Sequence, residues 1–292
     1  MRAALRFAAM VLLLSLFGSA TGEEKDNNAG PYVPTPWPIV DELLKLADIG
    51  PADLVYDLGS GDGRLVMTAA KRFGARGVGI ELQKNLVEQA NALARDEGLA
   101  GRVNFVQADL FESSFRDASV VTLYLLPKYV TRLVPKFRAE LRPGARIVSH
   151  DYPLAPWPPD KTLTFDVDEK EPITGTKRTV LYYYVVPAQV SGAWELNLPK
   201  LLSDAPLMLE IDQQIETTAG VARQGASVMN LRDPVVRGER IRFGLLTRGR
   251  LLAFTGTVSG ERMTGEVSAS GAKALERWSA TRAVREGNAI PK

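Results

Sequence analysis

The chain has 292 residues, with 36 basic and 34 acidic side chains for a net charge of +2 and an apolar share of 45 %. That length holds about two domains at the usual ~100–200 residues each, and the apolar share excludes a disordered chain. The chain has no cysteine and one histidine, His150, which excludes a disulfide framework, Cys- or His-cluster metal sites and a thiolate nucleophile.

Residues 1–20 hold Arg2 and Arg6 and no acid, so the rest of the chain is neutral, with 34 charges of each sign. Neutrality argues against a nucleic-acid partner, which leaves a basic excess on the domain that binds it. After the two arginines come the apolar run 7–17 and the small residues Gly18, Ser19 and Ala20, the pattern of a secretory signal cleaved after Ala20. The expectation is an exported, periplasmic protein with no stable membrane span once the leader is removed. A cytoplasmic chain from a misassigned start, or a membrane anchor through an uncleaved leader, is the alternative. Residues 21–30 are polar and turn-forming and read as a spacer.

From residue 31 to about 187 short apolar runs alternate with amphipathic stretches. Strands are expected at 54–57, 77–81, 103–107, 120–124 and 145–149, with helices at 63–72, 83–95 and 128–141 between them. That order predicts a parallel sheet covered by helices on both faces. Two further runs, 163–167 and 178–186, have no helical pattern between them and suit an antiparallel edge. After a linker near 186–190 the pattern shifts to seven short alternating runs with glycine-containing turns, at 191–198, 208–214, 221–228, 240–246, 251–258, 263–267 and 277–283. They predict a small antiparallel barrel or sandwich over 188–292, with Trp194 and Trp278 in its core. Five arginines between 237 and 250 read as a solvated hairpin surface, since no aromatic ladder accompanies them.

The chemistry centres on Asp57-Leu58-Gly59-Ser60-Gly61-Asp62-Gly63-Arg64, which follows the first strand and opens a helix. Glycines suit a turn with unusual backbone angles that a ligand must approach closely. An acid two residues before the first glycine disfavours a phosphate and suits an amino-bearing or cationic ligand. Glu81 and Asp109 end the next two strands, and ligands of open sheets bind at the carboxyl ends of strands. Asp57 is thus placed to hold an α-amino group, Glu81 to accept from two ribose hydroxyls, and Asp109 to accept from an adenine amino group. No Gly-Lys-Ser/Thr follows to cradle a triphosphate.

Three ordered acids around a glycine turn resemble the class I S-adenosylmethionine-dependent methyltransferases, which implies a Rossmann-like seven-stranded sheet and S-adenosylmethionine as cofactor. The blocks PYVPTP (31–36), VYDLGSGDGR (55–64), GIEL (79–82), VVTLYLLP (120–127) and LRPGARIVSHD (141–151) are similar to the mitochondrial lysine methyltransferases of ATP synthase c subunit and adenine nucleotide translocase. The likeness covers about residues 31–152. It implies a protein lysine as acceptor, with Tyr32, Pro34 and Thr35 closing over the methionine end of a cofactor held by Asp57, Gly59, Ser60, Gly61, Gly63, Glu81 and Asp109. Tyr124 would face the acceptor channel. The leader and the C-terminal β region depart from that group, which leaves open a small-molecule acceptor, or an exported module that binds the cofactor without turnover. Tyr32, Trp37, Tyr124, Tyr152 and Trp157 are candidates to line a desolvating channel. His150 is a candidate base, and Asp151 a receptor for the incoming lysine or a strand stop.

Overall fold

The computed structural model describes residues 32–200, 202–203, 205–215, 217–270 and 275–283. The expected leader and spacer therefore lie outside the described residues.

Helix α1 (Trp37–Leu46) opens on Pro36 and Pro38, where a missing N–H costs nothing, and buries Ile39, Val40, Leu43 and Leu44. Then come β1 (Leu54–Leu58), α2 (Arg64–Phe73), β2 (Arg76–Glu81), α3 (Lys84–Asp96), β3 (Val103–Gln107), β4 (Val120–Leu123), α4 (Pro127–Glu140), β5 (Arg146–His150), β6 (Lys161–Asp166) and β7 (Arg178–Val185). Their sheet has the order β3-β2-β1-β4-β5-β7-β6; β1 to β5 pair in parallel, and β7 runs antiparallel between β5 and β6. The expected seven-stranded sheet is therefore present, and each expected strand and helix up to β5 falls within a residue or two of its place.

Strand alternation separates two apolar layers. Val55, Val120, Val148 and Leu181 face α1, whereas Val121, Leu123 and Ile147 pack on Val130, Leu133 and Phe137 of α4. At the amino ends of the strands, Arg146 donates to the carbonyls of Ala47 (2.8 Å) and Asp48 (2.6 Å) and pairs with Asp53. Ser119 donates to the same Asp53 carboxylate at 2.7 Å, so Arg146 and Asp53 together tie the residues after α1 to the starts of β4 and β5. This leaves the carboxyl ends to carry the site.

The run between β6 and β7 corrects the sequence reading. It holds a 3₁₀ turn (Asp168–Lys170) and a helical turn, α5 (Glu171–Thr174), too short to give a periodic signal.

The remaining strands are β8 (Gly192–Asn197), β9 (Leu207–Gln213), β10 (Thr218–Gln224), β11 (Ser227–Asn230), β12 (Arg232–Arg237), β13 (Arg240–Thr247), β14 (Arg250–Ser259), β15 (Arg262–Ala269) and β16 (Glu276–Arg282). They form one antiparallel sheet, β11-β10-β9-β8-β16-β15-β14-β13-β12, whose ends curl together, the Leu231 N–H donating to Gly220 O at 2.9 Å. Trp194 and Trp278 are buried in its core as expected, Trp278 edge-on to the stacked rings of Phe243 and Phe254. The single strand expected at 221–228 is a hairpin, because Gly225 at φ +57 reverses the chain between Gln224 and Ser227. Strand β12 had no expectation, since Pro234 interrupts its pattern; a bulge between Arg232 and Val235 absorbs the proline.

The connection at 186–190 is fastened by hydrogen bonds rather than loose, with Val186, Ala188 and Val190 buried. Ala188 donates to Gly238 O at 2.8 Å, and Gln213 bonds both Val190 N–H (2.7 Å) and Ala188 O (2.9 Å). Arg237 reaches Asp160 at 2.7 Å, joining the second sheet to the loop before β6. Among the described residues no helix is long and apolar enough to cross a membrane.

Candidate functional site

Asp57 lies near the end of β1 and is 3 % exposed. Its neighbour across the ladder is Thr122 of β4, whose hydroxyl donates to Asp57 Oδ1 at 2.7 Å. Desolvation, with Glu81 and Asp62 nearby, pushes the Asp57 carboxyl up to about 7 despite the Thr122 bond. A carboxylate held this way favours a cation against its other oxygen. Thr122 was missed in the sequence; its signal was a lone hydroxyl in an otherwise apolar strand.

Glu81, at the end of β2, is also buried. Its two oxygens accept from the backbone N–H groups of Gly61 and Gln83, both at 2.9 Å, which fixes the carboxylate to the glycine turn. A carboxylate offers about four acceptor positions, so two remain for hydroxyl donors. Asp109, half-buried after β3, accepts the Phe111 N–H on Oδ1 at 2.8 Å, which leaves Oδ2 for a further donor. The structure thus brings the three expected acids to adjacent strand ends.

The glycines have a cause the sequence did not show. At Gly63, φ is +82 and an added Cβ would meet the Phe105 ring of β3, so α2 could not pack down. At Gly61, φ is +54 and the Cβ would meet the Tyr32 ring. Gly59 lies under Leu125, 2.8 Å from such a Cβ. Close packing of the protein on its own turn, more than approach of a ligand, demands glycine here. Beneath the turn, Ser60 Oγ is buried without a hydrogen-bond partner.

The segment before α1 straps this turn. Tyr32, 40 % exposed, lays its ring on Gly61 and its hydroxyl on Asp62; Arg64 grips Asp62 with a two-nitrogen fork (3.0 and 2.6 Å) and donates to Thr35 O at 2.8 Å. Burial raises the Asp62 carboxyl, but the Arg64 bonds outweigh it and hold it below the usual range. Thr35 is buried and Pro34 half-buried in the same strap. Neither Asp62 nor Arg64 was expected as part of the closure.

The aromatic set expected along a channel divides. Tyr124 is half-buried directly after β4, whereas Trp157 belongs to the core against Tyr184 and Trp37 is exposed beside the Arg64 guanidinium. Tyr152 fringes the α4-side core. His150 is 0 % exposed, lies against the Tyr124 ring at 4.0 Å between centroids, and has no hydrogen-bond partner on either nitrogen. Burial, helped by Lys170, pulls its pKa down to about 4 against the opposing pull of Asp151. It is therefore neutral at pH 7 and covered, an arrangement suited to supporting Tyr124 rather than to meeting an acceptor directly. Asp151, at φ +62, is engaged by Lys170, which is 2 % exposed and pairs with it at 2.6 Å. Because His150 is the one histidine of the chain, its proton resonances should stay flat from pH 8 to 5.5 in an NMR titration; a midpoint near 6.5 would contradict this burial.

No group of three or more metal-ligating side chains occurs among the described residues. A donor carrying an ammonium, a ribose and a purine does fit: a buried carboxylate with no cation beside it, a second acid on the turn and an orphaned hydroxyl lie together at the carboxyl ends of β1 and β2. Removing the Glu81 carboxylate, as in Glu81→Ala, should weaken binding of S-adenosylhomocysteine about 5- to 100-fold, through lost charged bonds and a loosened Gly61. An unchanged dissociation constant would place the ribose elsewhere.

Comparison with known proteins agrees with this chemistry. The family profile of the ANTKMT methyltransferase domain matches residues 57–161. A protein-lysine N-methyltransferase of Saccharolobus islandicus is 37 % identical over 157 residues, 53 % of this chain and 93 % of its own length. The ATP synthase c-subunit lysine N-methyltransferase of Rattus norvegicus is 36 % identical over 138 residues, 47 % of this chain and 63 % of that protein. A solved structure, an RNA methyltransferase from Salinibacter ruber in complex with S-adenosyl-L-homocysteine, is 44 % identical, covering 54 % of this chain and 96 % of that one with a TM-score of 0.49. Acids, glycine turn and sheet order thus meet the match to the archaeal relative, and the chain belongs to the S-adenosylmethionine-dependent methyltransferases, in the family that includes these protein-lysine N-methyltransferases.

Proposed function

We propose that the chain moves a methyl group from S-adenosylmethionine to the side-chain amine of a protein lysine. The observation that carries the reading is Asp57: a buried carboxylate bonded to Thr122, lying beside Glu81 beneath a strapped glycine turn. The lysine acceptor is supported by the names of the archaeal and rat relatives, the latter matched over 63 % of its length.

In this reading Asp57 holds the α-ammonium, Glu81 the ribose and Asp109 the purine amine, while Tyr32, Pro34 and Thr35 form the closure with Gly59, Ser60, Gly61 and Gly63 as the turn. The bound cofactor supplies a methyl group on a sulfonium, itself a good leaving group. What is left to the protein is alignment and exclusion of water. Neutralising a lysine of pKa ~10.4 at pH 7 costs about 4 to 5 kcal/mol, a cost that a desolvating wall lowers. Tyr124, its own hydroxyl pushed up to about 12 by burial and the nearby Asp151, is the wall this fold provides, with His150 behind it.

The reading includes export by residues 1–20, supported by their three-part pattern, and a division of labour between 31–187 and 188–292. The leader also favours a second reading, an exported module that binds the cofactor without turnover. Incubating the full chain with methyl-labelled S-adenosylmethionine and cell extract, then locating the label by mass spectrometry, separates them. Label on a protein lysine is the expected result. Binding without transfer supports the module, and label on a small molecule overturns the acceptor.

A further inference from the structure

Strands β12, β13 and β14 turn one face inward through Ile241, Phe243, Leu245 and Phe254, so the alternate side chains point outward. Outward on β12 and β13 stand Arg232, Arg240 and Arg242, all exposed, and none of them makes an ion pair with a described residue. The register places Arg240 directly opposite Arg237, a like-charge pair that costs stability, and Arg237 is the one neutralised by Asp160. Along the ladders of β12 to β15 the outward acid is Glu266, opposite Arg277 of β16; Asp233 in the β12 bulge and Glu239 in the β12–β13 turn are exposed too, and neither pairs with these arginines. Unpaired positive charge kept together at a cost is the mark of an anionic partner.

Apolar side chains continue the same face. Leu246 and Leu251 form a cross-strand pair beside the turn of the β13–β14 hairpin, 45 % and 40 % exposed, and Val235 lies opposite Arg242. Among the described residues this outer face holds no aromatic side chain, so it offers a single-stranded nucleic acid nothing to stack on. Exposed leucines beside arginines match the boundary between headgroups and acyl chains instead, where apolar tips bury shallowly and arginines meet phosphates.

We propose that the outer face of β12–β14 docks on an anionic lipid bilayer, with Arg232, Arg240 and Arg242 on headgroup phosphates and the Leu246–Leu251 tip in the interface. The proposal stands apart from methyl transfer, since none of these residues belongs to the cofactor site.

The test is flotation of the full chain with phosphatidylcholine vesicles, with and without phosphatidylglycerol. The leader is present in every sample, so its contribution cancels between variants. Wild-type protein should partition more strongly onto the anionic vesicles, and added salt should reduce that increment. R240E/R242E should lose about tenfold of the anionic increment while keeping its near-UV spectrum, because an acid at position 240 would face Arg237 as a favourable pair. L246S/L251S should retain the salt-sensitive part and bind several-fold more weakly at high salt. Equal partitioning on both vesicle types, or an increment unchanged in R240E/R242E, overturns the proposal. So does loss of labelled single-stranded RNA binding in R240E/R242E with vesicle binding intact.

Discussion

Replacing Gly61 with valine should raise the dissociation constant for S-adenosylmethionine and its demethylated product at least a hundredfold, about 2.7 kcal/mol or more. Two effects act at that position. A β-branched residue at φ +54 is a strained conformer, worth roughly 1–3 kcal/mol where the surroundings hold it. The added Cβ also points at the Tyr32 ring, so either the ring leaves the turn or the turn leaves Glu81, whose Oε2 accepts the Gly61 N–H. Each outcome dismantles one wall of the crevice while β1 and α2, fixed by their own cores, keep their places. Calorimetry with far-UV circular dichroism reads both parts. Micromolar affinity in a folded Gly61→Val protein would mean that this turn does not hold the donor.

Asp57→Asn should have opposite effects on binding and on stability. With the carboxylate gone, the ammonium of the donor loses its buried partner, which for hydrogen-bonded charge pairs costs about 2–5 kcal/mol, or some 30- to several-thousand-fold in affinity. The folded, ligand-free protein holds the Asp57 proton up to about pH 7, against 3.8 for an ordinary aspartate. The native state then binds more protons than the unfolded one across that interval, so the contribution of Asp57 to stability is present below pH 3.8 and lost as pH rises through 7. At pH 8 the wild type carries a buried, uncompensated charge, and Asn removes it while keeping an acceptor for Thr122. Urea unfolding of the ligand-free proteins should therefore show Asp57→Asn more stable by about 2–4 kcal/mol at pH 8, with the gap closing towards pH 5. A less stable variant at pH 8 would mean that Asp57 is already paired in the free protein.

The cofactor side of this molecule was legible because its determinants are local. An acid at the end of each of three successive strands, and glycines between strand and helix, are written in short windows, and β1 to β5 have period and length on their side. What escaped depends on contacts across the chain. That Gly63 is required by Phe105, and Gly61 by Tyr32, involves residues 42 and 29 positions away. The Asp62–Arg64 fork looks like two surface charges until its bond to Thr35 O is known. The acceptor side was least legible. His150 reads as a base in the sequence, yet the fold buries it completely, and Lys170, from a helical turn too short to announce itself, takes Asp151. In the second sheet, β10 and β11 read as one strand because Gly225 sits within a run of strand-forming residues, and β12 was hidden by Pro234.

The central claim, that Asp57 receives the ammonium of S-adenosylmethionine in the crevice it shares with Glu81, is tested most directly by calorimetric titration of the full chain with S-adenosylhomocysteine across pH 6 to 8. One molecule should bind per chain, with affinity nearly constant above pH 7 and falling towards tenfold per unit below it, as binding must then expel the Asp57 proton. Absence of binding, or an affinity that does not change between pH 8 and 6, would contradict the account.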